Sequence, residues 1–381
     1  MELLILTVSL LLLGVYSILI IYYRHSWITI PTFKTNDNNI PRVKISIIIP
    51  ARNEEQNIVD CLNSIVDQSY PKYLFEVLVV DDHSTDQTAE IILSYRDQNV
   101  QLISLKDFVA GNEINSYKKK AIEIAVQQSS GDIIVTTDAD CIVSPGWLQT
   151  IAKFYEEKKP AFIVMPVAIN CGNKFIEIFQ SLDFMTLQGI TGASVYKKFH
   201  SMCNGANLAY TKKAFIEVGG FKGIDNIASG DDMLLLHKIF NRYPDGIAYL
   251  KSREVIVQTE PVKTIAQFLN QRIRWASKAD KYDDKRIFAV LVLVYFFNVW
   301  ILFAGIACFF FTLPFAYYFI TIVAAKTIVE LLFLYPVARF FKKRIILWWF
   351  PLAQPFHILY TIVAGWLGKF GKYTWKERTV K

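Results

Sequence analysis

The sequence predicts an α/β protein built on a Rossmann-like parallel sheet, with transmembrane helices at both ends. β-Branched runs alternate with helix-length stretches through the first third of the 381-residue chain, as in β-α-β units. Acidic clusters directly follow three of these runs. Long apolar stretches at the two ends raise the hydrophobic content to 53% and the mean hydropathy to +0.28, which is high for a soluble enzyme.

The N-terminal apolar stretch predicts a membrane anchor. Residues 3–23 contain no charged side chain and are long enough to cross a bilayer. A cleaved signal peptide would carry basic residues before the apolar run and small residues at its exit. Here only Glu2 precedes the run, and bulky residues follow it. We therefore expect an uncleaved anchor over residues 1–23 and a polar linker over residues 24–43.

Four β-branched runs predict the parallel strands, and the segments between them predict helices. The first run is too continuous to be half exposed, so we expect a strand buried on both faces that ends at Pro50. Ser84 or Thr85 is expected to cap the helix after the second strand. The expected strands cover residues 43–49, 75–80, 100–105, 133–137 and, further on, 161–168. The expected helices cover residues 56–68, 87–95, 117–128 and 173–187.

The acidic clusters are expected to meet at one edge of the sheet. In open α/β sheets, ligands bind beyond the carboxyl ends of the strands, where Glu54, Asp82 and the pair Asp138 and Asp140 fall. Residues two apart in a strand point to the same face, so this pair is expected to share one cleft. Close carboxylates repel each other unless a cation lies between them. Oxygen ligands suit Mg²⁺ or Mn²⁺, so we expect one of these metals here.

Basic residues are concentrated near the C-terminus. The net charge is +7, yet residues 1–325 carry 31 Lys and Arg against 32 acidic residues. This distribution is typical of positive-inside topology and attraction to anionic lipid, and it gives no support for nucleic-acid binding. The five cysteines form no C-x-x-C pair, which argues against structural zinc and a disulfide scaffold.

Three apolar runs after Arg286 predict further membrane helices. They cover residues 287–311, 313–335 and 345–367. Lys326 and Glu330 interrupt the second run four residues apart, so on a helix they are expected to pair. The basic loop at 339–344 and the basic tail from 369 are both expected on the cytoplasmic side. One crossing cannot satisfy both, so we favour a re-entrant or interfacial element for the third run.

Five motifs in this order make the chain similar to a known family. They are Pro50-Ala51-Arg52-Asn53-Glu54, Asp81-Asp82, Asp138-Ala139-Asp140, Asp231-Asp232 and Gln271-x-x-Arg274-Trp275. Over about residues 46–275 the chain resembles the membrane-anchored inverting glycosyltransferases of family 2, which have the GT-A fold. The resemblance therefore implies that the Rossmann-like sheet is mixed but mostly parallel. The resemblance implies a nucleotide-sugar donor, with a UDP-sugar favoured, and a lipid or glycan acceptor. It also implies a multi-pass protein of the inner membrane with its catalytic domain in the cytoplasm.

The resemblance further implies a donor site built around a metal ion. Asp140 would bind Mn²⁺ or Mg²⁺ directly, and Asp138 would support the ribose or a metal-bound water. Lys118 matches a basic position that faces the diphosphate, although Lys119 and Lys120 follow it and a solvated helix face is the alternative for both. Glu54 has an alternative as an acid at a helix N-terminus. The implied nucleotide-binding residues are Pro50, Arg52, Glu54, Asp81, Asp82, Lys118 and Asp138.

On the acceptor side, the resemblance implies Asp232 as the general base. The alternative for Asp231 or Asp232 is a cap on a helix over residues 233–240. Trp275 suits a sugar ring, with an interfacial aromatic belt as its alternative. The implied acceptor or diphosphate residues are Asn204, Gly205, Asn207, Asp231, Gln271, Arg274 and Trp275.

Three apolar runs are few for a polymer channel, so single transfer to a lipid-linked acceptor is favoured over a processive polysaccharide synthase. The implied domains are a catalytic domain over 44–285, C-terminal helices over 286–367 and a basic tail over 368–381. A nucleotidyltransferase would share the sheet and acidic site but would give no reason for Asp232 or the Gln271 motif.

Overall fold

The computed structural model describes residues 1–35, 41–109, 115–200, 202–227, 230–278, 284–371, 373–375 and 378–380. Parts of the predicted linker and basic tail lie outside these ranges. The chain forms two compact units. The sheet unit comprises Pro31–Ala168 and Ser201–Glu260, and the helical unit comprises Met1–Ile30, Ile169–His200 and Pro261–Lys381. Residues 169–200 and 261–285 thus group with the apolar helices, and the domain boundaries given above stay predictions.

Strands and helices alternate as expected in the first third of the chain. The strands are β1 Ile45–Ala51, β2 Phe75–Asp81, β3 Val100–Ser104, β4 Ile133–Thr136, β5 Cys141–Ile142, β6 Phe162–Val164, β7 Val167–Ile169, β8 Leu208–Thr211, β9 Ile247–Tyr249, β10 Val257–Thr259, β11 Tyr373–Trp375 and β12 Arg378–Val380. The helices are α1 Glu2–Thr29, α2 Ile58–Val66, α3 Thr88–Leu93, α4 Tyr117–Gln128, α5 Trp147–Lys158, α6 Phe175–Tyr196, α7 Lys212–Glu217, α8 Asp231–Arg242, α9 Ile265–Ala276, α10 Lys285–Ala307, α11 Leu313–Phe340 and α12 Phe350–Phe370.

The sheet unit is built on a seven-stranded sheet in the order β3-β2-β1-β4-β8-β6-β9. Strands β3, β2, β1 and β4 are parallel, and β8 runs antiparallel to both of its neighbours. Ile47, Ile48 and Ile49 of β1 are fully buried, as their continuous apolar run predicts. The prediction of a mixed, mostly parallel sheet is confirmed.

Strand β1 does not end at Pro50, which corrects the prediction. Pro50 pairs with Val80 inside the ladder to β2. The Ile48 carbonyl accepts from the Thr137 N–H, so Ile48 faces β4, and Pro50, two residues on, faces the same side. The β1–β4 register ends at Ile48 and Thr136. The missing N–H of the proline therefore removes no bond from the sheet.

Three other local predictions are wrong. Residues 161–168 do not form one strand, because Pro166 separates β6 in the large sheet from β7 in a small sheet of order β5-β10-β7. Strand β4 ends at Thr136, so Asp138 and Asp140 lie in the turn after it and not on one strand face. Neither Ser84 nor Thr85 caps α3; Asp86 Oδ1 accepts the Thr88 N–H there instead.

In the helical unit, α1 continues to Thr29, so residues 24–29 are helix and not linker. Among the residues that the structure describes, four segments are long and apolar enough to cross a membrane: Glu2–Thr29, Lys285–Ala307, Leu313–Phe340 and Arg344–Phe370. The last contains α12, which is continuous through Pro355. Its predicted re-entrant or interfacial placement stays a prediction.

Polar side chains inside this unit bond to one another. The predicted pair is confirmed, since Lys326 Nζ lies 2.6 Å from Glu330 Oε1. Lys326 also donates to Gln354 Oε1 at 2.9 Å, and Gln354 and Tyr16 both donate to Glu330. All four side chains are buried. Because buried charges need partners, this network is expected to fix α1, α11 and α12 against one another.

Candidate active site

The loops after β1 and β2 are locked together by hydrogen bonds. The Asn53 N–H donates to Ser84 Oγ at 3.0 Å, and the Thr85 N–H donates to Asn53 Oδ1 at 2.9 Å. Asn53 and His83 both have positive φ, at 50° and 56°. Asparagine and histidine are among the non-glycine residues that accept this conformation most often. The two loops therefore present their side chains from one cross-linked frame.

Within this frame, Asp82 lies beside Arg52 and His83, while Asp81 closes the turn. Arg52 Nη1 donates to the Asp82 carbonyl at 3.1 Å and lies 3.8 Å from Asp82 Oδ1. His83 Nδ1 lies 3.0 Å from the same carboxylate oxygen. Both carboxylate oxygens of Asp81 accept the Ser84 N–H at 3.3 Å. Of the predicted pair, Asp82 keeps its carboxylate beside an arginine, and Asp81 is tied to its own loop.

In the turn after β4, the carboxylates of Asp138 and Asp140 repel each other, as expected. Burial, and then the charges of Asp138 and Glu54, raise the pKa of Asp140 to about 6. Cys141 Sγ donates to Asp140 Oδ1 at 3.5 Å, and Thr259 Oγ1 donates to Asp140 Oδ2 at 3.4 Å. Although Asp138 and Asp140 are not on a strand, they are close enough to repel each other.

This donor set fits a hard divalent cation. Asp138, Asp140 and Glu54 offer carboxylate oxygens, the ligands that Mg²⁺ and Mn²⁺ prefer. Within the described part of the chain, no three His, Cys, Asp or Glu side chains are placed to hold a metal ion together. Asp138 already has a cationic neighbour, and the raised pKa of Asp140 reports a charge that a cation would balance. The assignment of Asp140 as a metal ligand therefore stays a prediction.

Lys118 connects the predicted metal motif, Asp138-Ala139-Asp140, to Asp231, which precedes the predicted base Asp232. Its Nζ donates to Asp138 Oδ1 at 2.7 Å and lies 3.3 Å from Asp231 Oδ2. Burial acts against the charge on Lys118, but Asp138 and Asp231 outweigh it and raise the pKa of the lysine above its ordinary value. Among the three consecutive lysines of α4, Lys118 is therefore the one that meets the acidic cluster.

The other two lysines have different surroundings. Lys119 is 1% exposed and donates to the carbonyls of Ile224 at 2.7 Å and Ile227 at 2.6 Å. The alternative of a solvated face is wrong for Lys119, because its side chain holds the segment that leads toward α8. Lys120 bonds to Glu123 at 2.8 Å and stays partly exposed, as that alternative expects.

Asp232 is held by two backbone N–H groups. Its Oδ2 accepts the Gly205 N–H at 3.0 Å, and its Oδ1 accepts the Met233 N–H at 2.7 Å. A Cβ at Gly205 would lie 3.3 Å from Asp231 Oδ2 and 3.4 Å from Lys118 Nζ. A side chain here would therefore crowd the contact between Lys118 and Asp231.

The capping alternative for the two aspartates is wrong. The N-cap of α8 is Gly230, with φ of 79°. Asp231 and Asp232 occupy the first turn, where negative charge is favoured by the helix dipole. Ser229, two residues before Asp231, lies outside the described residues.

The two asparagines of the loop before β8 have different structural roles. Asn204 Oδ1 accepts the Ala206 N–H at 2.9 Å and shapes the turn around Gly205. Asn207 is fully buried; its Nδ2 donates to the carbonyls of Pro166 and Val255, and its Oδ1 accepts from Trp147 Nε1. Asn207 therefore anchors the base of the loop, and its acceptor role stays a prediction.

The motif Gln271-x-x-Arg274-Trp275 lies in the helical unit. Gln271, Arg274 and Trp275 are carried by α9, which begins with a capping box between Thr264 and Gln267. The Trp275 ring lies 6.1 Å from that of Phe184, and the guanidinium of Arg272 lies 4.3 Å from the Trp275 centroid.

Sequence reasoning gave no role to Arg272, Asp183 or Thr259, and it did not find the buried role of Lys119. Asp183 gave a usable signal, since an acid within the apolar segment of α6 needs a cation once it is buried. Lys119 gave none, because the two carbonyls that it binds lie more than one hundred residues further along the chain.

Replacing Lys119 by methionine is expected to lower the free energy of unfolding by about 1–3 kcal/mol, because the half-buried carbonyls of Ile224 and Ile227 lose their donor. Lys120→Met is the matched control and is expected to change it by no more than about 0.5 kcal/mol. Denaturant unfolding of the full chain in detergent, followed by tryptophan fluorescence, measures both. Equal stabilities of the two variants would contradict the role given to Lys119.

Comparison with known proteins places this geometry in a family. Residues 46–219 match the model described as glycosyl transferase family 2, and residues 133–367, more than half of the chain, match glycosyl transferase family group 2. The probable glycosyltransferase YdaM of Bacillus subtilis is 26% identical over 72% of this chain and 66% of its own length.

Two further relatives have names that imply different products. The β-monoglucosyldiacylglycerol synthase of Synechocystis sp. is 25% identical over 65% of this chain and 50% of its own length. The poly-β-1,6-N-acetyl-D-glucosamine synthase of Staphylococcus epidermidis is 23% identical over 61% of this chain and 53% of its own length. The chain thus spans about two thirds or less of the three relatives' lengths.

Among solved structures, mannosyltransferase PcManGT from Pyrobaculum calidifontis, in complex with GDP-Man and Mn²⁺, superposes with a TM-score of 0.57. The match covers 93% of this chain and 99% of that one at 18% identity, and it confirms the GT-A fold. Together, the family models and the fold show that the chain belongs to the family 2 glycosyltransferases.

Proposed function

We propose that the chain is a metal-dependent, inverting hexosyltransferase that moves a sugar from a nucleotide sugar to a lipid or lipid-linked acceptor. The observation that carries this proposal is the bridge made by Lys118 between Asp138 of the metal motif and Asp231 beside the base Asp232. A donor diphosphate and an acceptor hydroxyl have to meet at the anomeric carbon. One lysine within 3.3 Å of both acidic groups supports a single site for the two.

Asp232 is suited to the role of general base. In the proposed step, the carboxylate takes the proton of the acceptor hydroxyl as that oxygen attacks the anomeric carbon from the face opposite the diphosphate. This single displacement inverts the anomeric configuration. The N–H groups of Gly205 and Met233 orient the two carboxylate oxygens before the substrate arrives. A positioned base of this kind contributes about 10²–10⁴ in rate.

The donor side is assigned to the loops after β1, β2 and β4. Glu54 and Asp82 are proposed to accept hydrogen bonds from the base and the ribose, and Arg52 holds Asp82 in place. Lys118 keeps a positive charge beside the departing diphosphate. Asp140, supported by Asp138, would hold Mn²⁺ or Mg²⁺, which when bound supplies Lewis-acid neutralisation of the diphosphate. Asn204, Gly205 and Asp231 are proposed to border the acceptor.

Single transfer to a lipid is favoured over a processive synthase. The described part of the helical unit has four segments that could cross a membrane, and Tyr16, Lys326, Glu330 and Gln354 bond to one another between α1, α11 and α12. Polar side chains that are bonded to one another suit helix packing better than contact with a glycan that moves through a channel. The names of the relatives include both outcomes, a glycolipid and a polymer. We place the protein in the inner membrane as a multi-pass protein with its catalytic unit in the cytoplasm, as the basic C-terminal loops suggest.

Membranes containing the protein would be incubated with a panel of UDP-, GDP- and other nucleotide sugars plus Mn²⁺. Release of nucleoside diphosphate identifies the donor, for which a UDP-sugar is expected, and labelled product is then separated into lipid and polymer. Labelled lipid that carries one added sugar supports the proposal. High-molecular-weight polymer would favour the processive alternative, and failure to turn over any donor would contradict both.

Removing the metal is expected to abolish transfer. Asp140→Asn is expected to weaken Mn²⁺ binding by at least about 10-fold, since even residues behind a metal ligand affect affinity by about 10–100-fold. Electron paramagnetic resonance of free Mn²⁺ measures this binding independently of activity. Asp132→Asn, at an exposed position of the same region, is the control. Undiminished Mn²⁺ binding by Asp140→Asn would contradict the assignment of the ligand.

A further inference from the structure

A buried ion pair in the helical unit lies beside the Gln271 motif. Arg272 Nε donates to Asp183 Oδ2 at 2.9 Å, and Nη2 lies 2.7 Å from the same oxygen. The side chains are only 4% and 3% exposed. Tyr360 donates to the other oxygen, Asp183 Oδ1, and His357 Nε2 lies 4.0 Å from it. The pair therefore joins α6 and α9 and, through Tyr360, α12.

The same arginine also contacts two side chains of the motif directly. Arg272 Nη1 donates to Gln271 Oε1 at 2.7 Å. Its guanidinium lies 4.6 Å from the ring centroid of Phe268 and 4.3 Å from that of Trp275, within the range of cation–π attraction. One planar group thus orients the Gln271 amide and covers a face of the Trp275 ring.

The fork of the guanidinium is needed for this arrangement. Arginine presents five N–H donors in one plane and can stack on aromatic rings, whereas lysine is a compact point charge. At this position, one edge of the plane binds Asp183, another binds Gln271, and the face meets the rings. Lysine could keep the ion pair but could not hold all three contacts together.

We propose that Arg272 and Asp183 are positioning residues that set the orientation of Gln271 and Trp275 for use of the acceptor. The inference rests on the proposed function, because it assumes that the motif serves sugar transfer. Asp183 fixes Arg272, and Arg272 fixes the two motif side chains. Donor binding and donor hydrolysis, which we assign to residues of the sheet unit, do not depend on this chain of contacts.

The test compares Arg272→Met, Arg272→Lys and Asp183→Asn with the unchanged protein, full length in detergent, using the donor and the acceptor fraction identified by the panel above. Each variant is expected to lower kcat/KM for the acceptor by about 100-fold, the scale of a misplacement of about 1 Å. The KM for the donor and the acceptor-independent release of nucleoside diphosphate are expected to stay within about two-fold of the values for the unchanged protein, because the variants leave the residues assigned to donor binding in place. Asp183→Asn combined with Arg272→Met should cost no more than Arg272→Met alone, as expected for residues that act in series.

A merely structural role predicts another pattern. Donor hydrolysis and acceptor transfer would then fall together with the unfolding temperature, and that result would overturn the inference. If Arg272→Met does not fold, Arg272→Lys decides, because it retains the buried charge; unchanged acceptor kinetics for this variant would likewise overturn the inference. Absence of any transfer by the unchanged protein would contradict the proposed function itself, so the two failures are distinct.

Discussion

Replacing Asp232 by asparagine is expected to lower the rate constant for transfer by about 10²–10⁴-fold, the contribution of a positioned general base. Asparagine has nearly the same shape and keeps an oxygen that can accept one of the two backbone N–H groups that Asp232 binds. It cannot take a proton from the acceptor hydroxyl. Initial rates at saturating donor and acceptor, with the fold checked by circular dichroism, measure the effect.

Binding of the nucleotide sugar should survive this change. Asp232→Asn is expected to bind the donor within about two-fold of the unchanged protein, because an interaction needed only in the transition state does not alter ground-state binding. A variant that keeps full transfer would remove Asp232 from the mechanism. A variant that loses donor binding as well would show that Asp232 belongs to the donor site instead.

The second large effect is expected at Lys118. Lys118→Met keeps the apolar stem but leaves Asp138 and Asp231 without the cation that joins them. The loss of one electrostatic contact to developing charge typically costs about 10²–10³ in kcat, and we expect a loss in that range. Lys120→Met, which removes a partly exposed charge from the same helix, is expected to leave the rate nearly unchanged.

Steady-state rates for the two variants, measured across donor concentrations, test this expectation. Lys118→Arg should recover part of the rate, since it restores the positive charge with a different geometry. Equal rates for Lys118→Met and Lys120→Met would contradict the assignment of Lys118 to the site.

The parallel half of the sheet could be predicted because each of its strands has a recognisable run of β-branched residues. The β-branched run in β1 is buried on both faces, and its length and Pro50 mark its end to within two residues. The acidic motifs were predictable for the same reason, as they follow these strands directly. Strand β8 and the two short strands around Pro166 were harder, because the pairing of short strands is decided by distant partners.

The roles of individual site residues depended on tertiary contacts that spacing does not show. Lys118, Lys119 and Lys120 are chemically identical neighbours, yet one meets carboxylates, one is buried against carbonyls and one remains partly exposed. Only the packing of α4 decides among them. Arg272 is a similar case, because its partner Asp183 lies 89 residues away in the chain.

The central claim is that the carboxylates after β4 and those at the start of α8 serve one bound nucleotide sugar. Calorimetric binding of that nucleotide sugar with Mn²⁺, paired with transfer rates for the same samples, tests it most directly. We predict that Asp140→Asn loses both donor binding and transfer, while Asp232→Asn keeps donor binding and loses transfer. Wild-type donor binding by Asp140→Asn together with wild-type transfer by Asp232→Asn would contradict the claim.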